Sequence, residues 1–434
     1  MSFFATLFSI SNLVLVPAYC FYRFKKNNYF ILFNPGFYLL VASYLYLIPS
    51  SIFLSQYIQW INISYYSEFK PESLQFTSIL CNWYVLVFLF FYIKSTDWIS
   101  VPRENYKPKA ITYNIALLLT VLLSVYFFYI LAKYGAVLFS SDRFEALEFY
   151  TRTILLRHKV LILLPIFLSS LATVIWQTKK ARWFLVVLIP VLTEFLARGR
   201  TRSLMIVVFS YINYIAIFRK TFAKYLIVLL LSYTIFIPIY RSYEGFAGFQ
   251  LIAESPQILL FRGLAEIFAT RITTVIAYEE LMYSEDFYIY LTASFLRLFP
   301  FFIYKFFLGD NIDITQINYI EMMKIYYAQH YDIDWGLAGN IVTEALVYGG
   351  IELAFLSPII IGLIFWGLNQ VKIQQTFPGF IFLCLLISQL QRIIRSSFFD
   401  SFFVLIYTMF IYLGWIVVLE RGRKVLVVTR NKNG

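Results

Sequence analysis

Long apolar runs separated by short charged segments dominate the pattern of hydrophobic and polar positions in this 434-residue chain. A helix needs about 20 mostly apolar residues to cross the hydrocarbon core of a bilayer. The fold class that follows is an all-α polytopic membrane protein with about 11 transmembrane helices, in a range of 11–14. The predicted spans are residues 3–22, 29–54, 73–93, 111–132, 159–177, 183–197, 203–218, 225–240, 352–368, 377–391 and 398–419.

One long segment, Arg241–Glu344, lacks an uninterrupted apolar span free of charge, and apolar spans flank it on both sides. Within it, Pro256–Tyr283 has the apolar spacing of a helix. The stretch Asp286–Leu308 is apolar but interrupted by Arg297, which predicts an amphipathic or broken helix at the membrane interface. A competing topology gives this segment two further spans.

The composition excludes the soluble classes of protein. The chain is 60% hydrophobic and 14% charged, whereas soluble domains are about 45–50% apolar and about 25% charged. Its three cysteines, Cys20, Cys81 and Cys384, lie inside apolar runs without a CxxC pair, so no disulfide or thiolate metal site is predicted. The net charge of +12 is a topology signal in a membrane protein, and no nucleic-acid partner is expected.

Basic residues in the short loops orient the chain. Five clusters fall on one side of the predicted bundle: Arg23–Lys26, Lys94–Lys109, Lys179–Arg182, Arg219–Lys224 and the tail Arg421–Lys432. By the positive-inside rule that side is the cytoplasm. Three regions follow: an N-terminal transmembrane bundle (1–240), a large periplasmic or external loop (241–351), and C-terminal transmembrane helices with a cytoplasmic tail (352–434).

Arginine and lysine are distributed unequally across this topology. The predicted cytoplasmic side holds seven Arg and twelve Lys, and the external side holds twelve Arg and five Lys. Either residue satisfies the topology rule, but the planar guanidinium group of arginine is better suited to a bidentate grip on phosphate. The external excess of arginine therefore indicates an anion-binding function on that side.

Two groups of external residues are candidates for that function. Arg198, Arg200 and Arg202 lie in a turn between two spans, where they would hold a pyrophosphate; the alternative is contact with lipid headgroups. Arg262, Glu266 and Arg271 lie on the predicted loop helix. There one arginine would grip a phosphate while Glu266 supports it, and the alternative is a helix-surface ion pair.

The candidate bases are Glu344, His330 and Asp332. Glu344 follows Gly339 and Asn340 in an apolar approach to a span, where a carboxylate is costly unless it is paired or lines water. His330 has an ordinary pKa suited to general-base catalysis, although a polar surface loop is an alternative for His330 and Asp332. Arg392 and Arg395 are possible partners of Glu344, in an active site or in a structural clamp. One histidine and two nearby carboxylates are a weak metal pattern, so no metal and no cofactor are expected.

The segments GRTRSLMIVV, FATRITTVIAY, GNIVTEALVYGGI and IIRSSFFDSFFVLI, with the large loop between spans, together resemble the layout of Wzy-type bacterial polymerases of oligosaccharide repeat units for O-antigen or capsule. The resemblance covers roughly residues 180–420. It implies a GT-C-like membrane glycosyltransferase in the bacterial cytoplasmic (inner) membrane, with its site facing the periplasm. Donor and acceptor would both be oligosaccharides linked to undecaprenyl pyrophosphate, and a chain-length regulator is a possible protein partner.

Two other functions fit parts of the sequence. An O-antigen ligase, or another transferase of lipid-linked glycans, would use the same arginines, and the related ligases usually feature a loop histidine, which His330 would supply. A lipid-linked oligosaccharide flippase would place charges midway along several spans, whereas here the charges gather at the external ends of the predicted spans.

Overall fold

A computed structural model of the chain describes residues 3–27, 32–61, 69–95, 108–140, 145–146, 149–197, 201–218, 265–280, 339–370 and 377–395. Within these ranges almost every residue is helical, and no strand occurs among them. The predicted all-α class is therefore confirmed for the part of the chain that the structure describes.

The α-helices, numbered in chain order, are α1 (Phe3–Asn27), α2 (Pro35–Ile61), α3 (Pro71–Lys94), α4 (Ala110–Ser140), α5 (Val160–Thr178), α6 (Leu188–Leu196), α7 (Thr201–Phe218), α8 (Ala265–Glu279), α9 (Ile341–Gln370) and α10 (Phe377–Arg395). A π-helix, Tyr150–Arg157, lies before α5, and a 3-10 helix, Ala181–Val187, lies before α6.

Six of these helices, α1, α2, α3, α4, α9 and α10, are long and apolar enough to cross a membrane. Shorter apolar stretches lie in α5 and α7. The six helices fit the predicted membrane protein, and the predicted spans 225–240 and 398–419 lie outside the described residues.

The predicted span 183–197 has a different form from the others. It consists of the end of the 3-10 helix followed by the nine-residue α6. A 3-10 helix rises about 2.0 Å per residue and an α-helix about 1.5 Å, so the two elements together have an axial length of about 28 Å. This short segment therefore comes close to the thickness of a hydrocarbon core, which is about 30 Å.

The second predicted span begins later than expected, at Pro35 instead of residue 29. Asn34 ends the preceding segment, and its side-chain oxygen accepts a hydrogen bond from the Gly36 backbone N–H at 2.9 Å. Proline has no backbone N–H and its φ suits the first turn, so it favours a helix start. Hydropathy predicts only the extent of the apolar run, whereas Asn34 and Pro35 determine where the helix begins.

The elements form two compact units that are not contiguous in sequence. The first unit, called the Arg271 unit, contains α1, α2, α3, α8, α9 and residues 390–395 of α10. The second, called the Arg202 unit, contains α4 to α7, the π-helix, the 3-10 helix and residues 377–389 of α10.

Helix α3 is the centre of the Arg271 unit, and α9 packs along it in the same direction. The Trp83 indole N–H donates to the Phe355 carbonyl at 3.0 Å, and the Tyr84 and Ser357 hydroxyls share a hydrogen bond. Further along, a Cβ at Gly362 would overlap the ring of Phe91. Glycine at this position therefore lets the two helices approach closely, as small residues do between membrane helices.

A buried amide pair joins α1 to α3 near the middle of both helices. Asn12 Nδ2 donates to Asn82 Oδ1 at 2.8 Å, and Asn82 Nδ2 donates to Ser9 Oγ at 2.8 Å. All three side chains are fully buried. Because an unpaired amide is costly in an apolar environment, this pairing fixes the register of the two helices.

In the Arg202 unit, the fully buried Trp176 of α5 anchors the core. Its indole N–H donates to Asn213 Oδ1 of α7 at 3.2 Å. The Phe377 and Phe380 rings of α10 meet the indole edge to face, with centroids 5.9 Å and 5.7 Å away. One tryptophan thus ties three helices together by ring packing and a satisfied N–H group.

Helix α9 is broken at Gly349 and Gly350. Gly350 has φ 62° and ψ −155°, a region that side chains other than glycine rarely adopt. The break separates a first part, Ile341–Tyr348, from a longer second part that begins close to the predicted start of a span at residue 352.

Replacing Gly350 by alanine should lower the thermal unfolding midpoint of the purified protein, because its backbone conformation costs an L-residue about 1–3 kcal/mol. Gly367→Ala in the same helix is the matched control, since nothing lies within 4 Å of the Cβ it would add. That control should be neutral or stabilising by up to about 1 kcal/mol. Equal midpoints for the two variants would show that the break is not required.

Candidate functional site

The side chain of Arg271, on α8, is 0% exposed. Its Nη2 donates to the Leu74 carbonyl oxygen at 3.1 Å and to Ser78 Oγ at 2.9 Å. Its Nε and Nη1 atoms have no hydrogen-bond partner among the described residues. Burial lowers the pKa of Arg271, and the nearby Cys81 acts in the opposite direction. A guanidinium group stays protonated in proteins, so this is a buried cation with two donor atoms left over.

The sequence of α8 explains why the helix is buried within the Arg271 unit, against α2, α3 and α9. Phe268, Ile272, Val275 and Ile276 recur at helical spacing and are buried. The opposite end of the helix is fixed by Glu279, whose Oε1 accepts the Lys70 backbone N–H at 2.7 Å, just before α3 begins. Helix α8 therefore runs antiparallel to the first half of α3, and Arg271 contacts the Leu74 carbonyl and the Ser78 hydroxyl in the first two turns of α3.

A cluster of polar side chains, called the Asn340 clamp, joins α8 to α9. Asn340 Oδ1 accepts the backbone N–H groups of Val342 at 2.9 Å and Thr343 at 3.0 Å. Its Nδ2 donates to the Thr270 carbonyl at 2.7 Å and to Thr274 Oγ1 at 2.9 Å. The hydroxyls of Thr274 and Thr343 are 2.9 Å apart. The clamp thus caps α9 and bonds it to α8 with the same amide.

Glu344 lies directly after the clamp, in the first turn of α9, and its side chain is 2% exposed. The N-terminus of a helix favours a negative charge, because the first backbone N–H groups are not used within the helix. Arg271 follows Thr270 and Glu344 follows Thr343, so the two charged residues lie on helices that the clamp holds together. The structure therefore places a buried cation and a buried carboxylate in the same unit.

In the other unit, Glu194 of α6 caps the N-terminus of α7. Its carboxylate accepts the Arg202 backbone N–H at 3.0 Å, the Ser203 backbone N–H, and the Ser203 hydroxyl at 2.7 Å. The Arg202 Nη1 atom lies 3.8 Å from Glu194 Oε1. Glu194 is buried, so its charge is compensated by this arginine and by the helix N-terminus. An internal carboxylate already occupies one side of Arg202.

The other side of Arg202 borders a cavity in the same unit. The cavity is small, about 10 Å³, which is close to the space that one water molecule needs, and its lining is mostly apolar. Its polar lining residues are Tyr150, Thr193 and Arg202, and the Arg202 Nε has no hydrogen-bond partner among the described residues. The Arg202 Cζ lies 5.7 Å from the centroid of the Tyr150 ring. The Arg202 guanidinium group thus contacts the carboxylate that caps α7 and also lines the cavity.

The remaining predicted residues are placed as follows. Arg392 and Arg395 lie in the last turn of α10, half-buried, in the same unit as Arg271 and Glu344. Glu266 lies in α8, but its side chain is not described. Outside the described residues lie Arg198, Arg200, Arg262, His330 and Asp332. The roles predicted for all of these residues stay predictions.

Three polar residues in these surroundings were not among the predicted site residues: Glu194, Asn340 and His158. Glu194 is a lone acid within an apolar run, which by itself indicates a partner. Asn340 precedes a helix and is a favoured capping residue. For His158, the sequence gives only its position beside Arg157 at a span end.

His158 lies between two tyrosines of α4. The Tyr126 hydroxyl is 2.8 Å from Nδ1, and the Tyr134 hydroxyl is 3.0 Å from Nε2. Burial lowers the pKa of His158, and the positive charges of Lys133 and Arg157 lower it further. The neutral imidazole is therefore the form that this site holds.

Replacing Glu194 by glutamine should destabilise the protein by about 1–3 kcal/mol, because an amide presents donors to groups that are themselves donors. Thermal unfolding in detergent measures the effect. Glu352→Gln, at an exposed position of α9, is the matched control and should change stability by less than about 0.5 kcal/mol. An unchanged midpoint for the Glu194 variant would contradict the capping role.

The pH dependence of stability should carry a contribution from His158. Its pKa is lower in the folded than in the unfolded protein, where it is about 6.5. The unfolded chain then binds more protons, so stability should fall as the pH drops below about 6.5. Unfolding midpoints measured at pH values from 7.5 to about 5 for wild type and His158→Gln should converge at the acid end. Parallel curves would contradict this assignment.

Comparison of the chain with protein-family models, with curated proteins and with solved structures gives no significant match. The interpretation of the site therefore depends on the geometry and chemistry of the residues described above.

Proposed function

We propose that this protein is a polymerase of lipid-linked oligosaccharide repeat units, with Arg271 as the central residue of its substrate site. It would transfer the growing glycan from undecaprenyl pyrophosphate to the non-reducing end of another lipid-linked repeat unit. The proposal combines the resemblance of the sequence layout with the chemistry of the Arg271 unit.

The observation that carries the proposal is the fully buried guanidinium of Arg271, whose Nε and Nη1 have no partner among the described residues. Taking a cation out of water is expensive unless it is paired. Nε and Nη1 point in different directions, and a negatively charged oxygen is a strong acceptor for either of them. An anionic group of a substrate would supply the missing acceptors.

A lipid pyrophosphate leaving group suits this site. During transfer, the acceptor hydroxyl oxygen forms a bond to the anomeric carbon of the donor sugar, and the bond from that carbon to the pyrophosphate oxygen breaks. Negative charge develops on the pyrophosphate, and a preorganised guanidinium stabilises it. Arg392 and Arg395, in the same unit as Arg271, are further candidates for this role.

The acceptor hydroxyl loses a proton in the same step. Glu344 is the first candidate to receive it, since it is a buried carboxylate on the helix clamped to that of Arg271. His330 and Asp332 are the other candidates for the base. The overall transfer is balanced without a nucleotide, an oxidant or a cofactor, because the pyrophosphate already activates the donor.

The described helices are consistent with such substrates. Six are long and apolar enough to cross a membrane, so a donor and an acceptor anchored by polyprenyl chains would reach the protein within the bilayer. On the predicted topology, Arg271 lies at the external end of α3, because it contacts Leu74 and Ser78 near the start of that helix.

Purified protein in proteoliposomes, supplied with one lipid-pyrophosphate-linked repeat unit, should produce a ladder of longer glycans and release undecaprenyl pyrophosphate. Arg271→Ala should lower the rate about 100-fold or more, as the loss of a preorganised charge-stabilising donor does. Arg271→Lys keeps the positive charge but replaces the planar guanidinium group, with its five N–H donors, by an ammonium group, and it should retain intermediate activity. The exposed Arg182→Ala is the matched control and should keep the wild-type rate.

The same assay separates the alternatives. A ligase would transfer the glycan only when a lipid A core acceptor is added, and a flippase would move the substrate across the bilayer without elongating it. Wild-type rates in both Arg271 variants, with unchanged unfolding midpoints, would remove Arg271 from the proposed site.

A further inference from the structure

We infer that Asn340 is a positioning residue of the Arg271 unit: it sets the register of α8 against α9 and thereby the placement of Arg271 relative to Glu344. The inference rests on the proposed function for its activity readout. Its geometric part stands on the hydrogen bonds of the Asn340 clamp.

Asn340 is 0% exposed, and each half of its amide has two partners. The carbonyl half caps α9 through Val342 N and Thr343 N. The amino half reaches α8 through the Thr270 carbonyl and Thr274 Oγ1. A side-chain amide has two donors and an acceptor oxygen with two lone pairs. Asn340 therefore uses its full hydrogen-bonding capacity, and one side chain couples the start of one helix to the middle of another.

The two residues that Asn340 contacts on α8 bracket Arg271 in sequence. Thr270 is the preceding residue, and Thr274 lies three residues later, about one turn away. On its other side, Arg271 is held by α3 through Leu74 and Ser78. If α8 shifted along α9, the backbone of Arg271 would move with it. Only the hydrogen bonds from Arg271 to Leu74 and Ser78 of α3 would then oppose a displacement of the guanidinium.

The position of Glu344, in the first turn of α9, also depends on the Asn340 side chain. Glu344 follows Thr343, whose backbone N–H donates to the Asn340 side-chain oxygen at 3.0 Å, and the Glu344 backbone N–H donates to the main-chain carbonyl of Asn340 at 2.9 Å. Losing the cap would unwind the first turn of α9, where Glu344 lies. Asn340 thus acts on both charged residues, through two different halves of one amide.

This division allows the two effects to be separated. Aspartate keeps an oxygen for the cap and is itself a favoured capping residue, but it has no donors for Thr270 and Thr274. Asn340→Asp therefore breaks the link between the helices while preserving the cap, whereas Asn340→Ala removes both. Asn114→Asp is the matched control, because it introduces the same charge at an exposed position near the start of α4.

In the polymerisation assay, Asn340→Asp should lower kcat at least tenfold and change KM less than twofold, because misplaced groups lose interactions formed in the transition state. Its unfolding midpoint should lie closer to wild type than that of Asn340→Ala. If Asn340 acts through Arg271, the double variant with Arg271→Lys should be no slower than the slower single variant. The inference would be overturned if the rate losses of the two single variants multiplied in the double variant. It would also be overturned if Asn340→Asp kept the wild-type kcat.

A readout without turnover keeps the inference separate from the proposed function. Inorganic pyrophosphate should raise the unfolding midpoint of the wild type and of Asn114→Asp, since a ligand that binds the folded state stabilises it. The rise should be at least halved in Asn340→Asp. If the wild type elongates no glycan but shows this pattern, the proposed function fails and the positioning role stands. A wild type that pyrophosphate does not shift, or an equal shift in Asn340→Asp, overturns the positioning role.

Discussion

A guanidinium group that is wholly removed from solvent has five N–H donors to satisfy, and this requirement governs the Arg271 unit. Helix α3 supplies only a carbonyl and a hydroxyl, both to Nη2. The apolar face of α8 holds the side chain in this position, because Phe268, Ile272, Val275 and Ile276 are buried on the same helix. The cation is therefore buried together with its Nε and Nη1 atoms, which have no hydrogen-bond partner in the part of the chain that the structure describes.

Several buried polar groups in the rest of the described bundle have a partner on a neighbouring helix. Asn12 and Asn82 pair between α1 and α3. Trp176 donates to Asn213 between α5 and α7. Glu194 is satisfied by the N-terminus of α7. Arg271 differs from these neutral or paired groups because it is a 0% exposed cation whose Nε and Nη1 have no hydrogen-bond partner among the described residues.

The candidate site illustrates the limits of local reasoning. The sequence indicated Arg202, Arg271 and Glu344, because charges are unexpected beside apolar spans. It did not indicate that Glu194 would already contact Arg202, because the two belong to different helices. It also gave no role to Thr270 and Thr274, whose spacing on α8 has meaning only once Asn340 of α9 lies beside them.

The sequence by itself determined the class of fold and most helix positions, because membrane-length apolar runs and helix-starting residues are local properties. The late start of α2 at Pro35 and the break at Gly350 are also encoded locally, by residues with restricted or unusual backbone preferences. Only the tertiary structure decided that α8 and α9 join α1 to α3 in one unit while α4 to α7 form another. Which buried polar groups find partners depends on contacts between helices far apart in the chain, and no local pattern specifies those contacts.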